Sequence, residues 1–328
     1  MTTWLNKCHF GDCLETLQRM PDGIAQTCVT SPPYFGLRDY GHDGQIGLEP
    51  TPDEFIAKLV ALFREVRRVL REGGTLWLNI GDSYAAQRGG STPPAETLAG
   101  GINGKGDDDA KRGRKEGYNP ARNASAIGVK HKDLIGVPWM LAFALRADGW
   151  YLRQEIIWAK PNPMPESVTD RCTKSHESIF LLAKSEKYYC DMAAIAEKTV
   201  YPEGPGNKSH RHMDGAVYGL PEKASCQSGM LGIGPRETRN KRSVWTVATT
   251  PYKGAHFATF PTALIEPCIL AGAPAGGVVL DPFFGSGTTG QVAQDLGRKF
   301  IGCELNPAYK ALQDERLRQP SLELEIAA

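Results

Sequence analysis

The chain has 328 residues, 41% hydrophobic and 23% charged, an ordinary globular balance with length for one large domain or two modest ones. No apolar run approaches the roughly 18 residues of a membrane-spanning helix. The start Met1-Thr2-Thr3-Trp4-Leu5-Asn6 lacks the basic and apolar parts of a signal peptide, so a cytoplasmic protein with no membrane partner is expected.

The net charge of +1 hides two basic stretches. Lys105 to Lys132 and Lys198 to Arg242 each hold eight Lys or Arg against four Asp or Glu, leaving the rest of the chain acidic. Such a distribution fits a polyanionic partner, or else solvated loops. Eight cysteines (8, 13, 28, 172, 190, 226, 268 and 303) include no Cys-x-x-Cys pair, so reduced thiols are expected rather than a metal site or a disulfide framework.

Along the chain, residues 1–84 read as alternating strands and helices. Ile24 to Thr30 is a buried strand ending in Ser31-Pro32-Pro33-Tyr34. Glu54 to Leu70 has the apolar spacing of an amphipathic helix, with Gly73-Gly74 as its stop and Thr75 to Ile80 as the next strand. Residues 85–132 form a basic, glycine-rich insert without hydrophobic period. Residues 133–196 resume the pattern, with a helix over Leu134 to Asp148 and strands over Tyr151 to Trp158 and His176 to Leu182. Residues 197–243 form a second irregular segment. Residues 244–328 hold a helix from Pro261, the strand Val278 to Asp281, a helix after a glycine loop, and the strand Lys299 to Glu304. The strand–helix repetition predicts an α/β fold built on a parallel sheet covered on both faces.

Two loops carry the chemistry. The strand Val278 to Asp281 runs into Pro282-Phe283-Phe284-Gly285-Ser286-Gly287-Thr288-Thr289-Gly290, whose glycines permit sharp turns and close approach of a ligand. Glu304, 19 residues beyond Gly285, is placed to accept from two ribose hydroxyls. Gly285-x-Gly287-x-x-Gly290 alone also matches a dinucleotide fingerprint. Only 38 residues follow Gly290, however, too few to complete a dehydrogenase sheet. Asp281 would also sit poorly beside a pyrophosphate and well beside the ammonium of S-adenosyl-L-methionine.

The other loop is Thr30-Ser31-Pro32-Pro33-Tyr34. Two prolines stiffen it and remove two amide donors, leaving the Ser31 hydroxyl and the Pro32 carbonyl as acceptors beside an aromatic ring. A plain turn at a strand end is the simpler reading of such a pair. An amino group on a base ring has a delocalised lone pair. Two acceptors gripping its hydrogens would free that lone pair for attack, while Tyr34 stacked on a base flipped out of the duplex.

In this order the two motifs resemble the amino-group DNA methyltransferases of the permuted, beta group, whose catalytic Ser/Asp/Asn-Pro-Pro-Tyr motif precedes the methyl-donor loop. The resemblance extends to Gly11-Asp12-Cys13-Leu14-Glu15, to Trp158-Ala159-Lys160-Pro161-Asn162-Pro163 with His176-Glu177, and to His256-Phe257-Ala258-Thr259-Phe260-Pro261. It implies a Rossmann-like, mostly parallel seven-stranded sheet with one reversed strand and S-adenosyl-L-methionine as cofactor. Ser31, Pro32, Pro33 and Tyr34 are then the catalytic set. Asp12, His256, Phe257, Asp281, Phe283, Gly285, Ser286, Gly287, Thr288 and Glu304 are the cofactor set, with Asp12 meeting the adenine. No metal is expected.

The implied partner is double-stranded DNA, recognised by the 197–243 segment. Lys111, Arg112, Arg114 and Lys115 are expected on the phosphates, and Arg236, Arg239 and Arg242 at base edges. The 85–132 insert falls between DNA contact and subunit contact, the latter implying a homodimer, and pairing with a restriction endonuclease stays open. The family's first-position Ser leans toward cytosine N4 with many exceptions, so adenine N6 stays equally open. Cytosine C5 chemistry needs a Pro-Cys nucleophile in the catalytic loop, and Pro267-Cys268 lies instead in an apolar helix. A DNA-binding homologue without activity and a protein-glutamine methyltransferase are the remaining alternatives.

Overall fold

In the computed structural model, the described residues are 3–39, 41–42, 44–85, 127–199, 237–249 and 260–318. The first half begins with strand β1 (Lys7–Phe10), helix α1 (Cys13–Arg19) and strand β2 (Ala25–Thr30). Helix α2 (Pro52–Val69) follows, capped by the Thr51 hydroxyl on the Glu54 amide at 3.2 Å, with Pro52 in its first turn. Its apolar stripe of Phe55, Leu59, Leu62, Phe63, Val66 and Val69 is wholly buried against the sheet.

Strand β3 (Leu70–Ile80) begins before the predicted boundary at Thr75 and contains the glycines expected to stop the helix. Ala25 pairs with Leu70 but Thr27 with Thr75, so β3 bulges between them. A Cβ on Gly74 would stand 2.8 Å from the Arg71 carbonyl and 2.9 Å from the Leu70 Cβ. The glycines therefore serve a crowded bulge rather than a helix cap.

Helix α3 (Val137–Ala147) starts later than expected from Leu134. Gly136 is left-handed, and the Asp82 carboxylate, from beyond the end of β3, accepts from the Gly136 and Val137 amides at 3.0 and 3.1 Å. The cap is tertiary, so local sequence does not reveal it. Strands β4 (Tyr151–Ala159) and β5 (His176–Ala183) follow.

The last part contributes strand β6 (Glu197–Lys198), strand β7 (Thr238–Arg239) and strand β8 (Val244–Thr246). Helix α4 (Thr262–Gly272), strand β9 (Val278–Asp281), helix α5 (Thr288–Asp295), strand β10 (Lys299–Glu304) and helix α6 (Lys310–Leu317) complete the order. Cys268 is buried inside α4 beside Pro267, as expected for core.

The main sheet runs β1-β10-β9-β2-β3-β5-β4-β8. All strands are parallel except β5, which is antiparallel to both neighbours. The seven strands with one reversal are present, and the short β8 adds an eighth at the edge. The central strands β2 and β9 are buried at every residue, as a sheet covered on both faces requires. No described helix is long and apolar enough to cross a membrane.

The chain divides into two compact units. One comprises residues 1–191 with 243–328 and holds the sheet; the other comprises 192–242. Among its described residues the second contains the β6–β7 ribbon, paired Glu197 to Arg239 and Lys198 to Thr238.

Candidate functional site

Four neighbouring parallel strands, β1, β10, β9 and β2, end along one edge of the sheet. Asp12 follows the first, Glu304 ends the second, the glycine loop follows the third and Ser31-Pro32-Pro33-Tyr34 follows the fourth. Carboxyl edges of parallel strands are where open α/β sheets hold ligands. Because β5 is reversed, its beginning reaches the same edge. Ser178 pairs with Ile80 and Glu177 with Trp158, which brings His176-Glu177 beside the ends of β3 and β4.

Asp281 joins the two motifs, which are 251 residues apart. It is buried, and its carboxylate accepts from the Thr30 hydroxyl at 2.6 Å, the Thr289 hydroxyl at 2.6 Å and the Phe283 amide at 3.0 Å. Thr30 immediately precedes Ser31, so this hydrogen bond fastens the Ser31-Pro32-Pro33-Tyr34 loop to the glycine loop. Burial outweighs those three bonds and pushes the Asp281 carboxyl up to about 6. Three donors occupy three of its roughly four acceptor positions, leaving one for a further donor.

Glu304 accepts from the Gly285 amide on one oxygen and the Asn306 amide on the other, each at 2.8 Å. One acceptor position per oxygen remains, which suits two hydroxyls. Desolvation, with a smaller contribution from Asp281, raises its pKa. Asp12 caps α1 through the Glu15 amide at 2.9 Å. Beside it Gly11, at φ +129°, has no heavy atom within 4 Å of where a Cβ would stand. Three carboxylates, open space beside Gly11 and the turns at Gly285 (φ +54°) and Gly287 (φ +88°) form an acceptor set suited to a cationic, hydroxyl-bearing nucleoside.

The remaining loop residues divide. A Cβ on Gly290 would lie 2.6 Å from the Phe284 ring, and one on Gly302 would be closer still. Gly290 therefore makes room for Phe284, which stacks on Phe300 at 5.4 Å between ring centres, rather than for a ligand. Arg316 of α6 donates to the Ser286 hydroxyl at 2.8 Å and to the Thr288 hydroxyl, and Gln313 donates to the Gly285 carbonyl at 2.7 Å. The buried Ser286 and Thr288 side chains thus face the protein, where Arg316 holds them.

In the Ser31-Pro32-Pro33-Tyr34 loop, Pro32 is buried while Ser31, Pro33 and Tyr34 are half-buried. The Tyr34 ring lies against Gly81, where a Cβ would be 2.5 Å away, and its hydroxyl donates to Glu177 at 2.6 Å. Lys160, Glu177 and Asn79 gather around that hydroxyl. Of these contacts, Thr30, Thr289, Lys160 and Glu177 stand inside motifs that the sequence marks but without a role of their own, and Asn79 and Arg316 carry no sequence signal.

Arg239 and Arg242 both donate to Glu197 Oε1, at 2.8 and 2.6 Å, and their side chains are 34% and 69% exposed. His256, Phe257, Lys111, Arg112, Arg114, Lys115 and Arg236 lie outside the described residues.

A model of the DNA methylase family matches residues 25–315. Type II methyltransferase M.SmaI of Serratia marcescens is 47% identical over 311 residues, covering 95% of this chain and 90% of the relative. Among solved structures, the PvuII DNA methyltransferase (cytosine-N4-specific) superposes with a TM-score of 0.60 at 16% identity, over 98% of this chain and 89% of that one. The DNA modification methylase TTHA0409 of Thermus thermophilus, complexed with S-adenosyl-L-methionine, gives 0.55 at 23% identity, over 96% of each chain.

Proposed function

The chain belongs to the N6/N4 class of DNA methylases, which use S-adenosyl-L-methionine, and from that membership we propose that it methylates an exocyclic amino nitrogen of a base flipped out of double-stranded DNA. The observation that carries this reading is the Thr30–Asp281 hydrogen bond, which ties the amino-gripping loop to the methyl-donor loop.

S-adenosyl-L-methionine supplies a methyl group on a positively charged sulfur, open to attack by a nitrogen lone pair. Glu304 takes the ribose hydroxyls, Asp12 the adenine and Asp281 the methionine ammonium. The raised Asp281 pKa favours that last role, because a cation replaces the solvent its carboxylate has lost. Ser31 and the Pro32 carbonyl grip the amino hydrogens and pull the nitrogen toward tetrahedral geometry, while Tyr34 stacks on the base. No described group hydrogen-bonds the Ser31 hydroxyl or the Pro32 carbonyl, which leaves both acceptors for the substrate.

Ser31 at the motif's first position favours cytosine N4 as the target. The 197–243 segment reads sequence, and the 85–132 insert tracks phosphates or a second subunit.

The test is long-read sequencing and nucleoside mass spectrometry of plasmid DNA from cells expressing the protein. N4-methylcytosine in a fixed sequence context is expected, and N6-methyladenine would reassign the target base. Plasmid DNA carrying neither methylated base would remove the DNA reading.

A further inference from the structure

The proposed chemistry leaves Glu177 without a task, although it accepts from three side chains at the catalytic edge. Its Oε2 accepts from the Tyr34 hydroxyl at 2.6 Å and from Asn79 Nδ2 at 3.2 Å, and its Oε1 pairs with Lys160 Nζ. The Glu177 and Lys160 side chains are only 14% and 18% exposed. Taking an ion pair this far out of water costs desolvation that the attraction rarely returns in full, so stability alone is a poor reason for it.

The surroundings fix the pair in place. Lys160 Nζ lies over the Trp158 ring, 4.3 Å from its centre, and the Trp158 indole donates to the Val247 carbonyl at 2.8 Å. Asn79 Nδ2 also donates to the Ser178 carbonyl at 3.3 Å. Tyr34 is thus held at the ring by the backbone of Gly81 and at the hydroxyl chiefly by Glu177, with Asn79 Oδ1 farther off at 3.4 Å. A carboxylate suits that position because it accepts from all three donors and donates to none.

We propose that Glu177, held by Lys160 and Asn79, is a positioning residue that locks the Tyr34 ring through its hydroxyl and so sets the stacking surface for the target base. This rests on the DNA amino-methyltransferase reading above. The hydroxyl is the ring's far end and lies on the Cβ–Cγ axis, so anchoring it stops the ring from swinging about its first side-chain torsion. The Gly81 backbone limits turning about the second, and together they steady the loop that carries Ser31 and Pro32. Misplacing a reacting group by about 1 Å costs on the order of a hundredfold in rate, so losing the short Glu177 anchor, with the ring still held at Gly81, should cost about tenfold.

The experiment measures single-turnover transfer of labelled methyl to unmethylated plasmid DNA by Tyr34→Phe, Glu177→Ala, Glu177→Gln and the Tyr34→Phe/Glu177→Ala double variant. Calorimetric cofactor affinity and melting temperature are recorded for each. Tyr34→Phe and Glu177→Ala should each slow transfer about tenfold without changing cofactor affinity. The double variant should be no slower than the slower single, since both remove the shared Tyr34–Glu177 hydrogen bond. Glu177→Gln, which keeps an acceptor for the Tyr34 hydroxyl, should stay within about threefold of wild type.

Effects that multiply, a wild-type rate in Glu177→Ala, or a loss confined to cofactor affinity would overturn the proposal. Should Glu177→Ala fail to fold, a wild-type rate in Tyr34→Phe overturns it alone. A wild-type protein that transfers no label to DNA strikes at the function instead, which keeps the two failures apart.

Discussion

Replacing Asp281 by Asn should make the cofactor-free protein more stable at neutral pH while removing its grip on the cofactor. The wild-type carboxyl is buried, and its pKa is raised from 3.8 to about 6, chiefly by desolvation. The protonated form is therefore the one that folding favours. Its stabilising contribution is complete below about pH 3.8 and is lost as pH rises through about 6.

A shift of that size corresponds to about 3 kcal/mol lost at neutral pH, of which about 2 kcal/mol falls between about pH 4.5 and 7.5. Asn does not titrate and fits the same bonds. Its oxygen accepts from Thr30 and the Phe283 amide, and its amide donates to the Thr289 oxygen. Urea unfolding of both proteins, cofactor-free and at several pH values, gives a difference in which all unaltered groups cancel. The Asn variant should gain on wild type by about 2 kcal/mol across that range, and calorimetry should find its S-adenosyl-L-methionine binding weakened at least about tenfold. A pH-independent difference, a variant less stable at neutral pH, or wild-type cofactor affinity would refute the reasoning.

Glu304→Gln should weaken cofactor binding by roughly 1.5–3 kcal/mol, the scale of a hydrogen bond to a charged group, and NADH should not compete in the same calorimetric titration. Pro32→Ala or Tyr34→Ala should slow methyl transfer at least roughly tenfold while leaving cofactor affinity nearly intact, as single-turnover kinetics would report. Gly302→Ala should cost about 1–3 kcal/mol by forcing the buried Phe284 ring to move, and thermal unfolding should show recovery when Phe284→Leu is added. Neutralising Lys111, Arg112, Arg114 and Lys115 should weaken binding alike on cognate and unrelated DNA and flatten its salt dependence. Substitutions of Arg236, Arg239 and Arg242 should instead erode discrimination, both outcomes being read from binding titrations at several salt concentrations.

Contiguous residues were enough to reveal six strands of the main sheet, though not its short edge strands β1 and β8, and the order of the two motifs and thereby the class of chemistry. Val278 to Asp281 and Lys299 to Glu304 are strands with the predicted bounds, because short apolar runs between turn residues are local signals. The Ser-Pro-Pro-Tyr and glycine loops were legible for the same reason, since each is an unbroken run. The meetings of distant residues needed the folded chain. Gly290 and Gly302 are a single packing solution around Phe284, and Gly73-Gly74 serve a bulge set by pairing with β2. Asp82 caps a helix far along the chain, and Asp281 reaches back to Thr30. Glu177 comes to Tyr34 because β5 alone runs against the sheet and begins where its neighbours end. A strand's direction is fixed by the partners it pairs with across the sheet, and no local window of sequence contains those partners.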